Sequence, residues 1–271
     1  MTALAQPTEL QDDEFQAIID IAAKIAGLAI PSTKKSLVQS RISRRMRQVG
    51  LTRFADYLAA LDDDVDEVNH FIAALTTNVS HFFRENHHFD DLREQHLAGY
   101  AGRRLRLWSA GCSNGQEPFS MAIEVMRNIP DAPRHDIRIL ATDIDANVLA
   151  KANQGVYSGE EISGVPEADR AKFFTQLGDD QFQVIQQLRD LVTFRKLNLN
   201  GGPWPMKGPF DAIFCRNVMI YFNEETQRAL IARFAEQLRT GGSLLLGHSE
   251  RVHPVDGSGF KPDGITAYRK L

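Results

Sequence analysis

From about Leu105 onward, short apolar segments alternate with amphipathic helical segments, and this alternation constrains the fold more than any other feature of the chain. The apolar segments are RLRLWSAG, DIRILATDID, FDAIFCRN, GGSLLLGHSE and ITAYRKL. Helical patterns lie between them at Glu117–Asn128, Ala146–Ala152 and Glu224–Leu238. Strands that alternate with helices predict an α/β fold with a mostly parallel, doubly wound sheet.

The segment from about residue 172 to residue 197 interrupts this alternation. Its sequence, FFTQLGDDQFQVIQQLRDLVTFRKL, has the pattern of short strands joined by tight turns. Gly178-Asp179-Asp180 is typical of a hairpin turn, because glycine and aspartate tolerate the backbone conformations that such turns need. We expect a small β-subdomain inserted in the α/β domain.

The N-terminal segment, up to Leu75, shows helical periodicity and no convincing strand pattern. The segment LQDDEFQAIIDIAAKIAGL is amphipathic, and Gly27 can end its helix. A second helix is predicted from Pro31 to Val49, followed by shorter helices at Arg53–Leu61 and Val65–Leu75. The chain is therefore expected to begin with a small helical bundle.

Positive charge is concentrated in the second predicted helix, since Thr33–Arg53 contains seven basic residues and no acidic one. Six of them are Lys34, Lys35, Arg41, Arg44, Arg45 and Arg47. Spacings of three and four residues allow several of these arginines to share one side of a helix. The segment is either a solvated helix face or a docking surface for an acidic partner. The net charge of -4 favours a protein partner over a nucleic acid.

The chain has 271 residues, 43% of them hydrophobic and 24% charged, which suits one large or two modest folded domains. No apolar run approaches the roughly 20 residues that span a bilayer. The N-terminal segment MTALAQPTELQDDEF lacks the pattern of a secretory signal. Two cysteines, Cys112 and Cys215, cannot form the disulfide framework of a small secreted protein. We expect a soluble, cytoplasmic protein.

Glycine and polar residues follow the predicted strands, where ligands of open α/β sheets bind. The first strand runs into SAGCSNGQEP, in which Gly111 and Gly115 permit a tight turn close to a ligand. The second strand ends at Asp143, which can accept both hydroxyl hydrogens of a ribose; the alternative is a helix N-cap by Asp143 or Asp145. NAD and S-adenosylmethionine both suit this pair of features. The chain lacks a phosphate-loop or G-x-G-x-x-G motif there, which favours S-adenosylmethionine.

Polar residues also follow two later strands. Asn198-Leu199 comes after TFRKL, and Arg216-Asn217 comes after FDAIFC, so together they should form a polar rim. His248 and Glu250, after the strand GGSLLLG, are expected to be structural polar groups. Cys112 and Cys215 each end a strand, and we expect buried, inert thiols rather than a redox pair.

The segment TTNVSHFFRENHHF, Thr76–Phe89, combines three histidines with three phenylalanines. His87 and His88 are neighbours, and neighbours on a helix should point to different faces. No cysteine or acidic ligand pattern accompanies them. We therefore expect no metal site.

Taken together, these motifs resemble the CheR family of chemotaxis protein-glutamate O-methyltransferases, from about Phe15 to the C-terminus. The likeness is strongest in TTNVSHFFRENHHF, LWSAGCSNGQEPFSMAI, ATDIDANVLAKANQGVY, FDAIFCRNVMIYF and GGSLLLGHSE. The resemblance implies an N-terminal helical domain at residues 1–75 and a linker at 76–90 that contributes to the cofactor site. It also implies a Rossmann-like class I S-adenosylmethionine-dependent methyltransferase domain at 91–271, with the β-subdomain inserted at about 172–197.

The resemblance further implies an activity and its residues. The methyl group of S-adenosylmethionine would pass to receptor glutamates, giving glutamyl methyl esters and S-adenosylhomocysteine. The cofactor-binding residues would be Asn78, Ser80, Arg84, Glu117, Asp143, Asn198, Leu199, Arg216 and Asn217. Arg84 and Tyr221 would be catalytic, next to the methyl group and the incoming carboxylate. Ser80, Gln116 and Phe119 stand where the family more often has Thr, Glu and Tyr.

The resemblance also suggests partners. The basic helix would dock on the acidic, helical cytoplasmic region of a chemotaxis receptor. In some relatives the β-subdomain binds a receptor's C-terminal pentapeptide, but the compact TQLGDDQFQ favours a member that does not need it. The linker's phenylalanines would anchor it on the sheet domain. We expect a monomer that binds no nucleic acid and does not insert into membranes. The alternatives are a non-catalytic S-adenosylmethionine-binding signalling module and a small-molecule carboxyl methyltransferase.

Overall fold

The computed structural model describes residues 7–62, 64–76, 80–253 and 257–271. The chain divides into two compact units. The helical unit comprises Met1–Thr77 and Tyr221–Thr226, and the sheet unit comprises Asn78–Ile220 and Gln227–Leu271. Within the described ranges, no helix combines the length and apolar character needed to cross a membrane.

The predicted N-terminal helices all form. They are α1 (Asp12–Ala26), α2 (Lys35–Val49, preceded by a 3-10 turn at Ser32–Lys34), α3 (Phe54–Ala60) and α4 (Val65–Leu75). Gly27 and Gly50 end α1 and α2 with φ angles of 72° and 77°, a conformation that favours glycine. Asp64 caps α4, because its Oδ1 accepts the N–H groups of Asp66 and Glu67 at 2.9 and 3.0 Å.

The helical unit is held together by apolar residues that repeat every three or four positions. The fully buried ones include Ile18, Ala22, Ile42, Met46, Phe54, Tyr57 and Phe71. Because each helix presents these residues on one side, the four helices bury a common core. The helical bundle expected from the sequence is therefore confirmed.

A short segment from the C-terminal half of the chain also belongs to the helical unit. Tyr221–Thr226 groups with the N-terminal helices, and Leu28 forms an antiparallel bridge with Phe222. The N–H of Ala29 donates to the carbonyl oxygen of Tyr221 at 2.7 Å. The sequence did not predict this pairing, which joins segments from opposite halves of the chain.

The strands, in chain order, are β1 (Leu105–Ala110), β2 (Ile137–Asp143), β3 (Val156–Tyr157), β4 (Phe174–Gly178), β5 (Gln181–Val184), β6 (Val192–Lys196), β7 (Phe210–Cys215), β8 (Leu238–Leu246), β9 (Phe260–Pro262) and β10 (Ala267–Lys270). Seven of them form one sheet in the order β6-β2-β1-β7-β8-β10-β9. The first five are parallel, and β10 and β9 add antiparallel strands at one edge. The mostly parallel sheet is confirmed.

The remaining helices connect these strands. They are α5 (His87–Leu92, continued by a π-helical turn at Arg93–Leu97), α6 (Gln116–Asn128), α7 (Ala146–Gln154), α8 (Glu167–Phe173), α9 (Gln186–Arg189) and α10 (Glu224–Gln237). From β1, the sheet extends in one direction through β2 and β6, and in the other direction through β7 and β8. The strand order therefore reverses between β1 and β7. The crevice at such a switch point is where open α/β sheets bind ligands.

The expected β-insertion is smaller than its predicted bounds. β4 and β5 form the predicted hairpin, and β3 completes a three-stranded sheet in the order β3-β5-β4. β6, which the sequence analysis included in the insertion, instead pairs with β2 as a parallel edge strand of the large sheet. The prediction failed there because pairing with a strand much earlier in the chain leaves no local signal.

Phenylalanines fix the segment from Phe82 to Phe89, which leads into α5, on the sheet unit, as expected. Phe82 is 2% exposed and makes edge-on ring contacts with Tyr157 and Phe174, at centroid distances of 5.1 and 5.5 Å. Phe89 is equally buried and lies 5.6 Å from the ring of Phe214 on β7. The polar residues between them are thereby held at the sheet.

Candidate functional site: the carboxyl ends of the parallel strands

Main-chain hydrogen bonds align the residues that follow β1, β2 and β6. The N–H groups of Gly111 and Cys112 both donate to the carbonyl oxygen of Thr142, at 2.8 and 2.9 Å. On the other side of β2, the N–H of Leu197 donates to the carbonyl oxygen of Asp143 at 2.9 Å. The strand ends predicted to carry the site therefore lie at one edge of the sheet.

The glycine-rich turn after β1 needs its glycines. Gly111 and Gly115 both have φ of 89°, in the left-handed region. A Cβ on Gly111 would lie 2.3 Å from Cγ2 of Val218, and one on Gly115 would lie 2.8 Å from Cβ of Ala152. The turn is thus in close contact with the loop after β7 and with α7.

Asp143 ends β2 with its carboxylate buried. Its Oδ2 accepts the N–H of Ser113 at 2.8 Å, and its Oδ1 accepts the N–H of Asp145 at 3.0 Å. Burial raises the pKa of Asp143, and these two N–H groups act in the opposite direction. Asp145, rather than Asp143, caps α7, because it accepts the N–H of Asn147 at 2.8 Å. Each oxygen of Asp143 keeps a further lone pair for a ligand hydroxyl.

A buried ion pair joins the start of α6 to the end of β7. Nε of Arg216 donates to Oε2 of Glu117 at 2.7 Å, and the Ser109 hydroxyl donates to Oε1 at 2.6 Å. The side chains of Arg216 and Glu117 are only 2% and 9% exposed. Arg216 also donates to the carbonyl oxygen of Arg84. The site thus has a fixed charge pair at the switch point between β1 and β7.

His88 extends this network as a neutral acceptor. Its Nε2 lies 3.2 Å from the carbonyl oxygen of Ile265 and 3.1 Å from the Thr266 hydroxyl, and its Nδ1 lies 3.3 Å from Nη1 of Arg216. Burial, together with the nearby charge of Arg216, lowers the pKa of His88 to about 4. The ring is therefore uncharged at neutral pH, with Nε2 donating and Nδ1 accepting from Arg216.

Glu85, His87 and His88 are the one potential metal cluster among the residues that the structure describes, with a ligand atom of each within 4.8 Å. The expectation that the two histidines face apart was wrong, since their rings lie 4.1 Å from each other. The Arg216 guanidinium nevertheless lies 4.0 Å from Oε2 of Glu85 and 3.3 Å from Nδ1 of His88. We assign these groups to Arg216, because a metal ion there would face a second cation.

Three buried oxygens at the site have no hydrogen-bond partner within the described part of the chain. They are Oγ of Ser113, Oε1 of Gln116 and Oε2 of Glu85. Buried polar atoms are nearly always satisfied in native proteins, so such atoms need an explanation. Two of them belong to the glycine-rich turn and the first residue of α6, where a polar ligand can satisfy them.

The other residues predicted to contact the cofactor differ in burial and in their hydrogen bonds. Ser80 and Arg84 are half-buried, and Asn78 lies outside the described residues. Asn198 is half-buried, and its Oδ1 accepts the N–H of Asn200 at 3.0 Å. Leu199 is 6% exposed. The side-chain contacts proposed for these residues remain predictions.

Arg233 and Glu250, which the sequence did not assign to the polar rim, support it. Nη1 of Arg233 donates to the carbonyl oxygen of Leu199 at 2.8 Å, and its guanidinium lies 3.9 Å from the ring centroid of Trp204. The carboxylate of Glu250 accepts N–H groups from the loop after β7. Glu250 was expected to be structural, and only its position after a strand could have marked it. Nothing in the sequence could have identified Arg233.

Asn217 and Tyr221 occupy different units. Asn217 adopts a φ of 59°, which is uncommon outside glycine. Tyr221 belongs to the helical unit and is half-buried. Its catalytic role remains a prediction. Cys112 and Cys215 are buried free thiols, and burial raises the pKa of both well above the usual value, which suits the expected inert role.

The basic residues of α2 do not form one face. Arg45 makes a two-pronged ion pair with Glu67 of α4, with Nη2–Oε2 at 2.6 Å and Nε–Oε1 at 2.9 Å. Nη1 of Arg41 donates to the carbonyl oxygens of Leu75 and Thr76, at 2.8 and 3.0 Å. Arg41 and Arg45 are therefore engaged within the bundle, and the docking role of the six residues remains a prediction.

The remaining basic residues of the set differ in exposure. Lys35 is half-buried and pairs with Asp12 at 2.5 Å. Lys34, Arg44 and Arg47 are exposed. Of the six basic residues, Lys34, Arg44 and Arg47 are therefore the ones with an exposed side chain and no carboxylate partner among the described residues.

Comparison with known proteins agrees with this architecture. A family model described as "CheR methyltransferase, all-alpha domain" matches residues 13–76, and one described as "CheR methyltransferase, SAM binding domain" matches residues 78–267. The second model alone covers well over half of the chain. The boundary between the two matches falls between the N-terminal helices and the sheet unit.

Relatives match along nearly their whole length. A probable chemotaxis protein methyltransferase of Rhizobium etli is 43% identical, over 90% of this chain and 94% of the relative. Chemotaxis protein methyltransferase 2 of Pseudomonas aeruginosa is 41% identical, over 89% and 88%. The chemotaxis protein methyltransferase of Escherichia coli is 40% identical, over 98% and 94%. On these matches, and with both of its domains present in order, the chain belongs to the CheR methyltransferase family.

Proposed function

We propose that this protein transfers the methyl group of S-adenosylmethionine to glutamate side chains of chemotaxis receptors, giving glutamyl methyl esters and S-adenosylhomocysteine. The observation that carries the proposal is the buried Glu117–Arg216 pair at the switch point, with unsatisfied polar oxygens beside it. Family membership gives the reaction, and the chemotaxis methyltransferases that the chain resembles give the class of substrate.

The residues present fit the cofactor. Asp143 offers two carboxylate oxygens for ribose hydroxyls, Ser113 beside it offers an unsatisfied oxygen, and Gln116 offers another at the start of α6. Glu117 retains acceptor capacity for an ammonium group, because each of its oxygens has one donor in the structure. Asn78, Ser80, Asn198, Leu199, Arg216 and Asn217 are proposed to complete the site. When bound, S-adenosylmethionine supplies an electrophilic methyl group on a sulfonium ion.

The chain then needs to orient and desolvate rather than to move protons. A substrate glutamate has an ordinary pKa of about 4.3, so it is already an anion at neutral pH and needs no general base. Arg84 is proposed to orient a carboxylate through its guanidinium fork, and Tyr221 to donate one hydrogen bond. Positioning of this kind can contribute about 7 kcal/mol or more to a barrier. A tight ion pair with the nucleophile would stabilise the ground state, so orientation is the more useful role.

Methyl transfer onto receptor-containing membranes tests the function. With S-adenosylmethionine labelled in the methyl group, we expect base-labile label on the receptor, released as methanol. Label on a small molecule only would instead support a small-molecule carboxyl methyltransferase. Cofactor binding without any transfer would support a non-catalytic module. Arg84→Ala should lose at least about 99% of the rate through misplacement of the reacting groups, and a near wild-type rate would remove Arg84 from the mechanism.

We further propose that exposed basic residues of α2 and of the 3-10 turn before it dock on the acidic, helical cytoplasmic region of the receptor. Lys34, Arg44 and Arg47 are exposed, whereas Arg41 and Arg45 bind within the bundle. The compact β4–β5 hairpin supports a member that works without the receptor pentapeptide. The proposal takes the protein to act as a monomer in the cytoplasm.

Charge reversal tests the docking surface. Arg44→Glu combined with Arg47→Glu should raise the KM for receptor about tenfold and leave the affinity for S-adenosylhomocysteine unchanged. Arg44→Gln with Arg47→Gln is the matched control and should have a smaller effect. Equal loss of cofactor binding would show that the substitutions disturb the fold instead. The same assay, with receptors that have and lack the C-terminal pentapeptide, tests pentapeptide dependence.

A further inference from the structure

One carboxylate accepts hydrogen bonds from four consecutive main-chain N–H groups of a loop. Glu250 follows β8 and is 4% exposed. Its five donors are Val218, Met219 and Ile220 to Oε1, at 2.9, 2.7 and 3.3 Å, and Asn217 and Gly247 to Oε2, at 2.8 and 2.6 Å. Four of these donors are consecutive residues of the loop that follows β7.

The described part of the structure contains no other hydrogen-bond acceptor for these four main-chain N–H groups of the loop. Its backbone turns sharply at Asn217, where φ is 59°, and enters a short 3-10 helix at Met219–Tyr221. The first N–H groups of a helix lack partners inside it. A carboxylate from a distant part of the chain supplies the acceptors, and consecutive N–H groups of this kind form a concave site for an anion.

The loop held by Glu250 carries or touches the main parts of the cofactor site. Arg216, immediately before it, forms the buried pair with Glu117. Val218 packs so closely on Gly111 that a Cβ there would lie 2.3 Å from its Cγ2. On the other side, a Cβ on Gly247 would lie 2.7 Å from the main-chain nitrogen of Asn217. The loop therefore fits tightly between the turn after β1 and the end of β8.

We propose that Glu250 is a positioning residue for cofactor binding, whose carboxylate holds the loop Asn217–Ile220 so that Arg216 stays on Glu117 and Val218 stays against the glycine-rich turn. Glu250 acts through the loop and touches no reacting atom. The inference rests on the proposed function, because it assigns Glu250 to the same cofactor site.

The opposite end of β7 provides a matched control. Asp211 is also 4% exposed, and it accepts the N–H of Arg106 at 2.8 Å, Nη1 of Arg103 at 2.5 Å and Nε of Arg239 at 2.7 Å. It is a buried, multiply hydrogen-bonded carboxylate at the amino end of the strand, away from the site. Asp211→Asn and Glu250→Gln therefore make the same chemical change, one at the amino end of β7 and the other after β8, against the loop that follows β7.

The test compares these two variants with the wild-type protein at a temperature where circular dichroism shows all three folded. Glu250→Gln places an amide N–H₂ against N–H donors, so it should weaken S-adenosylhomocysteine binding at least about tenfold by calorimetry. Asp211→Asn should bind within about twofold of wild type. Without cofactor, amide hydrogen exchange at Val218 and Met219 should become faster in Glu250→Gln and stay unchanged in Asp211→Asn.

Other outcomes separate this inference from the proposed function. Wild-type affinity in Glu250→Gln, equal losses in the two variants or unchanged exchange at Val218 and Met219 would each overturn the role of Glu250. If Glu250→Gln does not fold, Glu250→Asp keeps the charge on a shorter side chain, and wild-type affinity in that variant would overturn it as well. A wild-type protein that fails to bind S-adenosylhomocysteine would overturn the proposed function, and the exchange measurement would still test the loop.

Discussion

Each unit of the protein contains a buried glutamate that accepts from one arginine and one hydroxyl. In the helical unit, Glu67 accepts from Arg45 at 2.6 Å and from the Tyr57 hydroxyl at 2.8 Å. In the sheet unit, Glu117 accepts from Arg216 at 2.7 Å and from the Ser109 hydroxyl at 2.6 Å. The chemistry of the two pairs is the same, although they lie in different units.

The surroundings of the two pairs differ. In the sheet unit, buried oxygens of Ser113, Gln116 and Glu85 have no partner among the described residues, and Glu85 lies next to Arg216. In the described part of the helical unit no buried side-chain polar atom lacks a partner. A fully satisfied pair stabilises a packed bundle, whereas a pair beside unsatisfied atoms is suited to a polar ligand. The atoms next to an ion pair, rather than the pair itself, therefore distinguish a candidate binding site from a structural bridge.

Arg216→Met should have the largest effect. It leaves the Glu117 carboxylate buried without its partner, which should lower the free energy of unfolding of the sheet unit by about 3–5 kcal/mol. Affinity for S-adenosylhomocysteine should fall at least about 100-fold. Urea unfolding and calorimetry measure the two quantities. Adding Glu117→Gln should restore part of the stability but not the affinity, and restored affinity would contradict a binding role for this pair.

Glu67→Gln should have a smaller effect, confined to stability. It removes the charge that Arg45 pairs with but keeps an acceptor for the Tyr57 hydroxyl, so we expect a loss of about 2 kcal/mol in the free energy of unfolding. Affinity for S-adenosylhomocysteine should stay within about twofold of wild type. The comparison of the two pairs would break down if affinity fell as far as it does in Arg216→Met.

Protonation of His88 in the sheet unit should have the smallest effect of the three. The pKa of His88 is about 4 in the folded protein, below the ordinary value of 6.5, so the unfolded chain binds the extra proton first. The stability that neutral His88 contributes is therefore complete above pH 6.5 and is lost as pH falls towards 4. Between pH 7 and pH 5 this should cost about 1–2 kcal/mol.

The His88 prediction is measured by urea unfolding at pH 7, 6 and 5. His88→Gln keeps a neutral side chain that can accept from Arg216, and it should remove this part of the pH dependence. His96, whose pKa burial lowers to about 3, titrates in both proteins and cancels in the difference. Identical pH profiles for the two proteins would show that protonation of His88 is not linked to unfolding.

Local patterns in the sequence predicted most elements of the fold. The period of the apolar residues and the positions of Gly27 and Gly50 gave the helices of the bundle, since both signals act within a few residues. Pairing over long separations was not predictable. β6 joined the large sheet rather than the small one, and Phe222 paired with Leu28, because no local pattern specifies a distant partner.

The candidate site follows the same division. Asp143 and Arg216 were found from their positions after predicted strands, and Glu117 from the resemblance to the family. The prediction that several arginines of α2 share one side of the helix was wrong, because it used spacings of three and of four residues together. Arg41 and Arg45 share one side of the helix and bind within the bundle, whereas Arg44 and Arg47 point elsewhere and are exposed. Sequence spacing fixes which residues share a side, but not which side the next helix covers.

The antiparallel bridge between Leu28 and Phe222 has a consequence for recombining relatives of this protein. Tyr221–Thr226 belongs with the N-terminal helices, although the segment Asn78–Ile220 separates the two in sequence. If the N-terminal helices alone were exchanged between two family members, they would have to pack with a 221–226 segment from the other parent. A chimera should therefore carry Tyr221–Thr226 from the same parent as its N-terminal helices.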